Sequence, residues 1–331
     1  MFFPDWSGRG RARLGVLCIL AFCLLLAGGC GSKQKKGQPL SMPSLIIPGD
    51  EGGEPLTPTE LAAFQNTARI DRDIHKASMP DVVLQYKHFL RKGRGTMSVF
   101  SRNAEPYLGY ARKVFRSRGM PEELAYLALV ESGYRPDAES RVGALGAWQF
   151  MPYTGMKYGL TQDWWLDERL DPYRATEAAA DYLQKLYGDF RDWPTAIAAY
   201  NAGEGKMSRA KEGTGARNFY EVVERNHKLD EKARLRPETV QYVPRFLAMS
   251  KIMRNLPQLS FTPVDQDKPA PVRRLTARPG TDLIALSRAC GLSWESFQGY
   301  NLHHKRTISS TERSTFVYVP VQNEAQAQAF L

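Results

Sequence analysis

Between Thr59 and about Leu256 the chain lacks the alternation of apolar and polar positions that marks half-buried strands, and Ala, Leu, Glu, Lys and Arg are frequent. Helices are predicted there. Met120-Pro121-Glu122-Glu123 reads as a helix start, with proline in the first turn and acids at the positive end of the peptide dipoles. In the run that follows, Leu124, Leu127 and Ala128 share one face, while Ala125, Leu129 and Val130 make the other face apolar too, so this helix is expected inside the core. Asp171-Pro172 caps a helix striped by Ala175, Ala178, Ala179, Tyr182, Leu183 and Leu186 and ended by Gly188; Asp192-Trp193-Pro194 starts another that stops at Ala202-Gly203. Tyr242, Phe246, Met249, Met253 and Leu256 repeat at helical spacing, with Pro244 expected to kink or start that helix. Residues 257–272 hold four prolines and read as a linker. From Arg273 to Val321 the pattern is short strand, helix, glycine turn, helix, loop and short strand.

The N-terminus differs from all of this. Arg9, Arg11 and Arg13 precede an apolar run from Leu14 to Ala27. That run is shorter than the ~20 residues needed to span a bilayer, so it reads as a signal peptide. The small residues before Cys30 resemble the bacterial lipobox, with Ala27 where Leu is usual. The resemblance implies cleavage and lipidation at Cys30, and Gly31 in the next position implies the outer membrane, facing the periplasm. Ordinary secretory cleavage near Gly29 is the alternative. Gly, Ser, Pro and Lys then dominate to residue 58, as in a disordered tether.

Composition excludes several classes. With 331 residues, 43% hydrophobic and 24% charged, the chain is neither fully disordered nor a multi-span membrane protein. Of the net charge of +10, +2 falls in residues 1–29; the remaining +8 is spread thinly, with no aromatic-interleaved basic stripe, so no nucleic-acid partner is called for. The four cysteines (18, 23, 30 and 290) give no disulfide framework, and the five histidines show no ligand spacing, so no metal and no cofactor are expected.

Glu131 is the odd residue. It lies seven positions after Leu124, on the apolar stripe and at a helix end before Ser132-Gly133. Burial and the negative end of the helix both disfavour its charged form, which suits a general acid. A structural glutamate paired to Arg135 or Arg141 is an equal reading of the pattern. The next segment adds E-S-G-Y-R-P-D-A-E-S-R-V-G-A-L-G-A-W-Q-F-M-P over residues 131–152, then A-Y-N-A-G at 199–203, then Glu238-Thr239 and Tyr242-Val243. In this order these motifs resemble the lytic transglycosylase (SLT) domain of the goose-type-lysozyme-like superfamily, from about Tyr110 to Leu256. Trp148, standing where many members carry Met, resembles the membrane-bound murein transglycosylase D branch.

The resemblance implies Glu131 as the catalytic acid/base. It implies substrate contacts from Ser140, Gly146, Trp148, Gln149, Met151, Tyr200, Asn201 and Tyr242, and support of the site by Ser132 and Glu238. Beside it, the glycines at 143 and 146 suit either close approach of a sugar or turn chemistry, Gln149 offers both donor and acceptor, and Met151 and Trp148 suit either a pyranose face or the core. The implied partners are peptidoglycan glycan strands and a membrane, reached through the lipid on Cys30. The implied reaction cleaves the bond between N-acetylmuramic acid and N-acetylglucosamine without water. A hydrolytic muramidase of the same fold and a non-catalytic peptidoglycan-binding lipoprotein are the rivals. Residues 273–321 loosely resemble a LysM module. The expected fold is mainly α: a lysozyme-like helical catalytic domain with a small βααβ LysM-like C-terminal module. The expected divisions are 1–29 signal peptide, 30–58 tether, 59–109 helical extension, 110–256 catalytic domain, 257–272 linker, 273–321 module and 322–331 tail.

Overall fold

The computed structural model describes residues 53–73 and 79–331. The signal segment, Cys30 and most of the tether lie outside the described residues. No described helix is long and apolar enough to cross a membrane.

The chain folds mainly as helices. Helix α1 (Pro58–Gln65) opens with a reciprocal cap in which the Thr57 hydroxyl accepts from the Glu60 amide and the Glu60 carboxylate accepts from the Thr57 amide. Helices α2 (Met79–Leu90) and α3 (Arg94–Ser117) follow. Met97, Ser101, Ala104, Leu108, Ala111 and Phe115 form one buried stripe along α3. That helix runs across residues 109 and 110, so the boundary expected there falls inside a continuous element. The helix expected from Pro121 is instead a 3-10 turn (Glu122–Tyr126) followed by a short α4 (Leu127–Ser132). Next come α5 (Pro152–Lys157), α6 (Pro172–Phe190), α7 (Trp193–Ala202), α8 (Glu204–Thr214), α9 (Phe219–Arg225) and α10 (Pro237–Arg254).

The core gathers around α10. Every residue from Tyr242 to Met253 is buried, Arg245, Ser250 and Lys251 included. It packs on α2, α4 and α7. Pro237 supplies its first turn, so Pro244 lies inside the helix and does not start it. The segment before α2 is fastened to the same helix. Asp71 takes Arg254 at 2.6 Å and Lys251 at 3.5 Å, and the Lys251 ammonium also donates to the Phe64 carbonyl.

The C-terminal part holds β1 (Val272–Ala277), α11 (Leu283–Ala289), α12 (Trp294–Tyr300), β2 (Thr315–Pro320) and α13 (Glu324–Phe330). The strands pair antiparallel, from Val272 opposite Pro320 to Ala277 opposite Thr315. Leu283, Leu286, Cys290, Phe297, Val317 and Val319 make a small core of its own. The expected tail is helix α13, whose Ala327 joins that core.

Residues 257–272 are no loose linker. They form a strap along α3: Arg112 donates to the Gln266 carbonyl and pairs with Asp267, and Tyr126 donates to the Gln266 side chain at 2.6 Å. The C-terminal part is itself bonded to the helical body. The Tyr318 hydroxyl donates to the Asp171 carboxylate at 2.7 Å, the Asp167 amide donates to the His303 carbonyl, and Arg313 pairs with Asp163.

Candidate active site

Helix α4 ends at Ser132 because Gly133 turns left-handed, with φ of 63°, and returns its amide to Leu129; the Tyr134 amide goes back to Ala128. This places Glu131 on the last turn. The Ser132 hydroxyl donates to the Ala147 carbonyl at 2.7 Å and accepts from the Arg135 amide. It thereby fixes the end of α4 to the loop that carries the second half of the motif.

That loop is held by its own backbone. The Ser140 hydroxyl accepts from the Ala144 amide at 2.9 Å, closing a turn with Gly143 at φ 84°. The Gln149 backbone is left-handed at φ 50°, rare for a residue with a side chain. Its amide nitrogen donates to the carbonyls of Gly146 and Ala138. Two carbonyl acceptors fix which end of the amide is nitrogen, so Oε1 is left for another donor.

Among the described residues, Glu131 has one direct polar partner, the Tyr242 hydroxyl from the middle of α10, which donates to Oε1. Neither Arg135 nor Arg141 reaches it; Arg135 pairs instead with Asp137 at 3.3 Å. Desolvation pushes the Glu131 carboxyl from 4.5 up to about 7. The Tyr242 hydrogen bond opposes that shift, and the charge of Glu238 on the first turn of α10 adds to it. Burial and the nearby carboxylate hold the Tyr242 and Tyr200 hydroxyls well above their ordinary range, so both stay donors. Replacing Tyr242 with Phe removes the bond that favours the ionised form. The alkaline limb of the pH–rate profile is then expected to move to higher pH, and a profile unmoved by Tyr242→Phe would contradict this electrostatic assignment.

The structure sorts the expected residues into two groups. Glu131, Ser140, Gln149, Tyr200 and Asn201 each keep partial exposure, and Met151 is 42% exposed. Ser132, Gly146, Trp148 and Tyr242 are buried. Trp148 is fully buried; its indole donates to the Thr176 hydroxyl and its ring packs on Phe115 and Tyr134. It is a core residue here, not a sugar platform. Gly146 is buried as well, and the space where a Cβ would stand is filled by the Arg169 carbonyl rather than left for a sugar. Tyr242 is buried and serves the acid. Tyr200 holds the loop by donating to the Trp148 carbonyl at 2.9 Å, and Asn201 accepts from the Thr239 hydroxyl at 2.8 Å, joining α7 to α10. Glu238 is exposed.

Arg169 was not foreseen. It pairs with Asp167 at 2.7 Å and donates to the carbonyls of Gly143 and Phe150, holding the loop from beneath. In the sequence it sits in a charged run that looks solvated. Val142 and Tyr153, about three-quarters exposed, also escaped notice; isolated apolar residues carry no periodicity.

The site thus combines a helical body, a carboxyl raised by burial and a loop locked behind it. Residues 111–223 match the model of the transglycosylase SLT domain family. It is similar to membrane-bound lytic murein transglycosylase D of Escherichia coli (strain K12), 29% identical over 256 residues, which is 76% of this chain and 54% of the relative. The chain thus spans about half the length of that relative. Peptidoglycan transglycosylase gp16 of Escherichia phage T7 is 38% identical over 104 residues, 30% of this chain and 8% of its own. The crystal structure of the 70 kDa soluble lytic transglycosylase of Escherichia coli overlaps 44% of this chain and 23% of its own, at 25% identity and a TM-score of 0.36.

Proposed function

We propose that this chain is a peptidoglycan lytic transglycosylase that works with a single acid/base, Glu131. The observation that carries the reading is the carboxyl raised to about 7, partly open to solvent and hydrogen-bonded by Tyr242. The SLT match and the murein transglycosylase relative support the substrate class.

Protonated Glu131 gives its proton to the glycosidic oxygen between N-acetylmuramic acid and N-acetylglucosamine as the bond to the anomeric carbon breaks. The carbonyl of the substrate's own N-acetyl group stabilises charge at that carbon. Ionised Glu131, steadied by the Tyr242 hydroxyl, then takes the proton from the C6 hydroxyl, whose oxygen closes on the anomeric carbon. The product end is a 1,6-anhydro sugar and no water is consumed. A nucleophile within the same sugar has the advantage of high effective concentration. In this reading Gln149 Oε1, Ser140 and Met151, which keep exposure, touch the strand.

Glu238 gives hydrolysis a foothold, because two-carboxylate glycosidases need a second acid and its charge reaches Glu131. Mass spectrometry of muropeptides released from purified sacculi separates the two. Anhydro ends are expected; reducing ends in their place would overturn the non-hydrolytic reading. A lipid on Cys30 would hold the enzyme at the outer membrane, facing the wall, and the C-terminal βααβ part would act as a LysM-like module.

A further inference from the structure

A cavity of about 260 Å³ lies where the helical body meets the C-terminal part. Tyr107 and Tyr173 line it from the body, and Tyr300 and Val272 line it from the C-terminal part. Four prolines complete much of the wall, and no charged side chain takes part. The hydroxyls of Tyr107, Tyr173 and Tyr300 make no hydrogen bond to any described residue, although the neighbouring Tyr110 and Tyr318 hydroxyls are committed to Glu177 and Asp171. Tyr300 is 38% exposed and Gly299 beside it faces open space.

We propose that this cavity binds one neutral pyranose ring of a glycan strand, at a site whose lining includes neither Glu131 nor Tyr242. Flat tyrosine and proline rings suit the C–H faces of a sugar. Tyrosine hydroxyls without protein partners suit its hydroxyl or N-acetyl groups, whereas a wholly apolar ligand would leave buried hydroxyls unpaired. The uncharged wall disfavours phosphates and carboxylates, which would enter without a counter-charge. The volume falls below the ~300–1,000 Å³ of pockets for drug-sized ligands, so it takes a single ring. The site also adjoins the catalytic loop. Pro136, five residues beyond Glu131, lines it, and the Tyr107 ring lies parallel to that of Tyr134, 6.3 Å between centroids. The inference rests on the reading that the chain handles a sugar polymer.

The test is saturation-transfer NMR with N-acetylglucosamine on the full-length protein carrying Glu131→Gln. Tyr300→Ala and Gly299→Leu are each added to it. Gly299 lines the cavity, and a Cβ added there meets no atom within 4 Å, so the leucine adds bulk at the cavity wall without a backbone clash. Each variant is expected to bind about tenfold more weakly, the order one aromatic contact supplies, with an unchanged melting temperature. Binding that ignores both variants and falls instead with Gln149→Ala would place the sugar in the cleft and overturn the proposal, as would a parent protein that binds no sugar. If binding responds to Gly299→Leu while the unsubstituted protein releases nothing from sacculi, the cavity stands and the catalytic reading falls.

Discussion

Glu131→Gln is expected to abolish release of anhydro muropeptides while leaving the protein folded, with a rate loss of about 10²–10⁴ for the missing proton transfer. The same variant makes a second, opposite prediction about stability. Unfolded, the carboxyl titrates near 4.5; folded, near 7. Below pH 4.5 both states hold the proton and the group's favourable contribution is fully present. Between those values the unfolded chain releases a proton that the folded one keeps, so stability falls as pH rises, and above 7 the loss is complete at about 3 kcal/mol. Glutamine never ionises. The variant should therefore match the parent at pH 4 and be more stable by about that amount at pH 8, read from urea midpoints. A catalytically dead variant that gains nothing at pH 8 would mean that Glu131 is not desolvated as described.

Gly146→Ala is expected to be among the most damaging single-methyl additions in the chain. At φ 80° a side chain is already strained, and the new Cβ would collide with the Arg169 carbonyl, which as backbone cannot swing aside. The cost should reach about 3 kcal/mol or more, made up of left-handed strain and displacement of the 167–170 turn. Gly143→Ala is the control. Its φ is 84°, but nothing lies within 4 Å of the added atom, so only the conformational cost of about 1–2 kcal/mol applies. Thermal melts of the two variants side by side decide this. Equal losses would show that the Arg169 contact is unimportant.

The helical body and the acid were legible because periodicity records burial. A carboxylate on the Leu124 stripe could be read as buried before any partner was known. Its partner could not: Tyr242 reaches Glu131 across 111 positions, and sequence spacing says nothing about such pairs. Trp148 and Gly146, which the resemblance implies as contacts and the pattern leaves open to core and turn, are buried for one shared reason. Their motif marks a site, but most of its residues build the loop rather than touch what enters it. Helix ends misled in the same way. Gly188 was read as a stop, yet α6 runs on to Phe190 and is ended by Arg191 in a left-handed turn at φ 53°, a conformation tertiary contacts can impose on a residue that does not advertise it. Four prolines suggested a free linker in residues 257–272, whereas α3 supplies arginines that hold this stretch in place.

The turn at 167–170 faces two ways. Arg169 underpins the loop behind Glu131, and Asp167, two residues earlier, is bonded to His303 of the C-terminal part. Both parts belong to one compact unit. The separation between the proposed sugar cavity and Glu131 is thus set at folding and not by a swinging tether. On a polymer of repeating sugars, such a frame would act as a gauge, with the proposed held ring a fixed number of rings from the proposed cut.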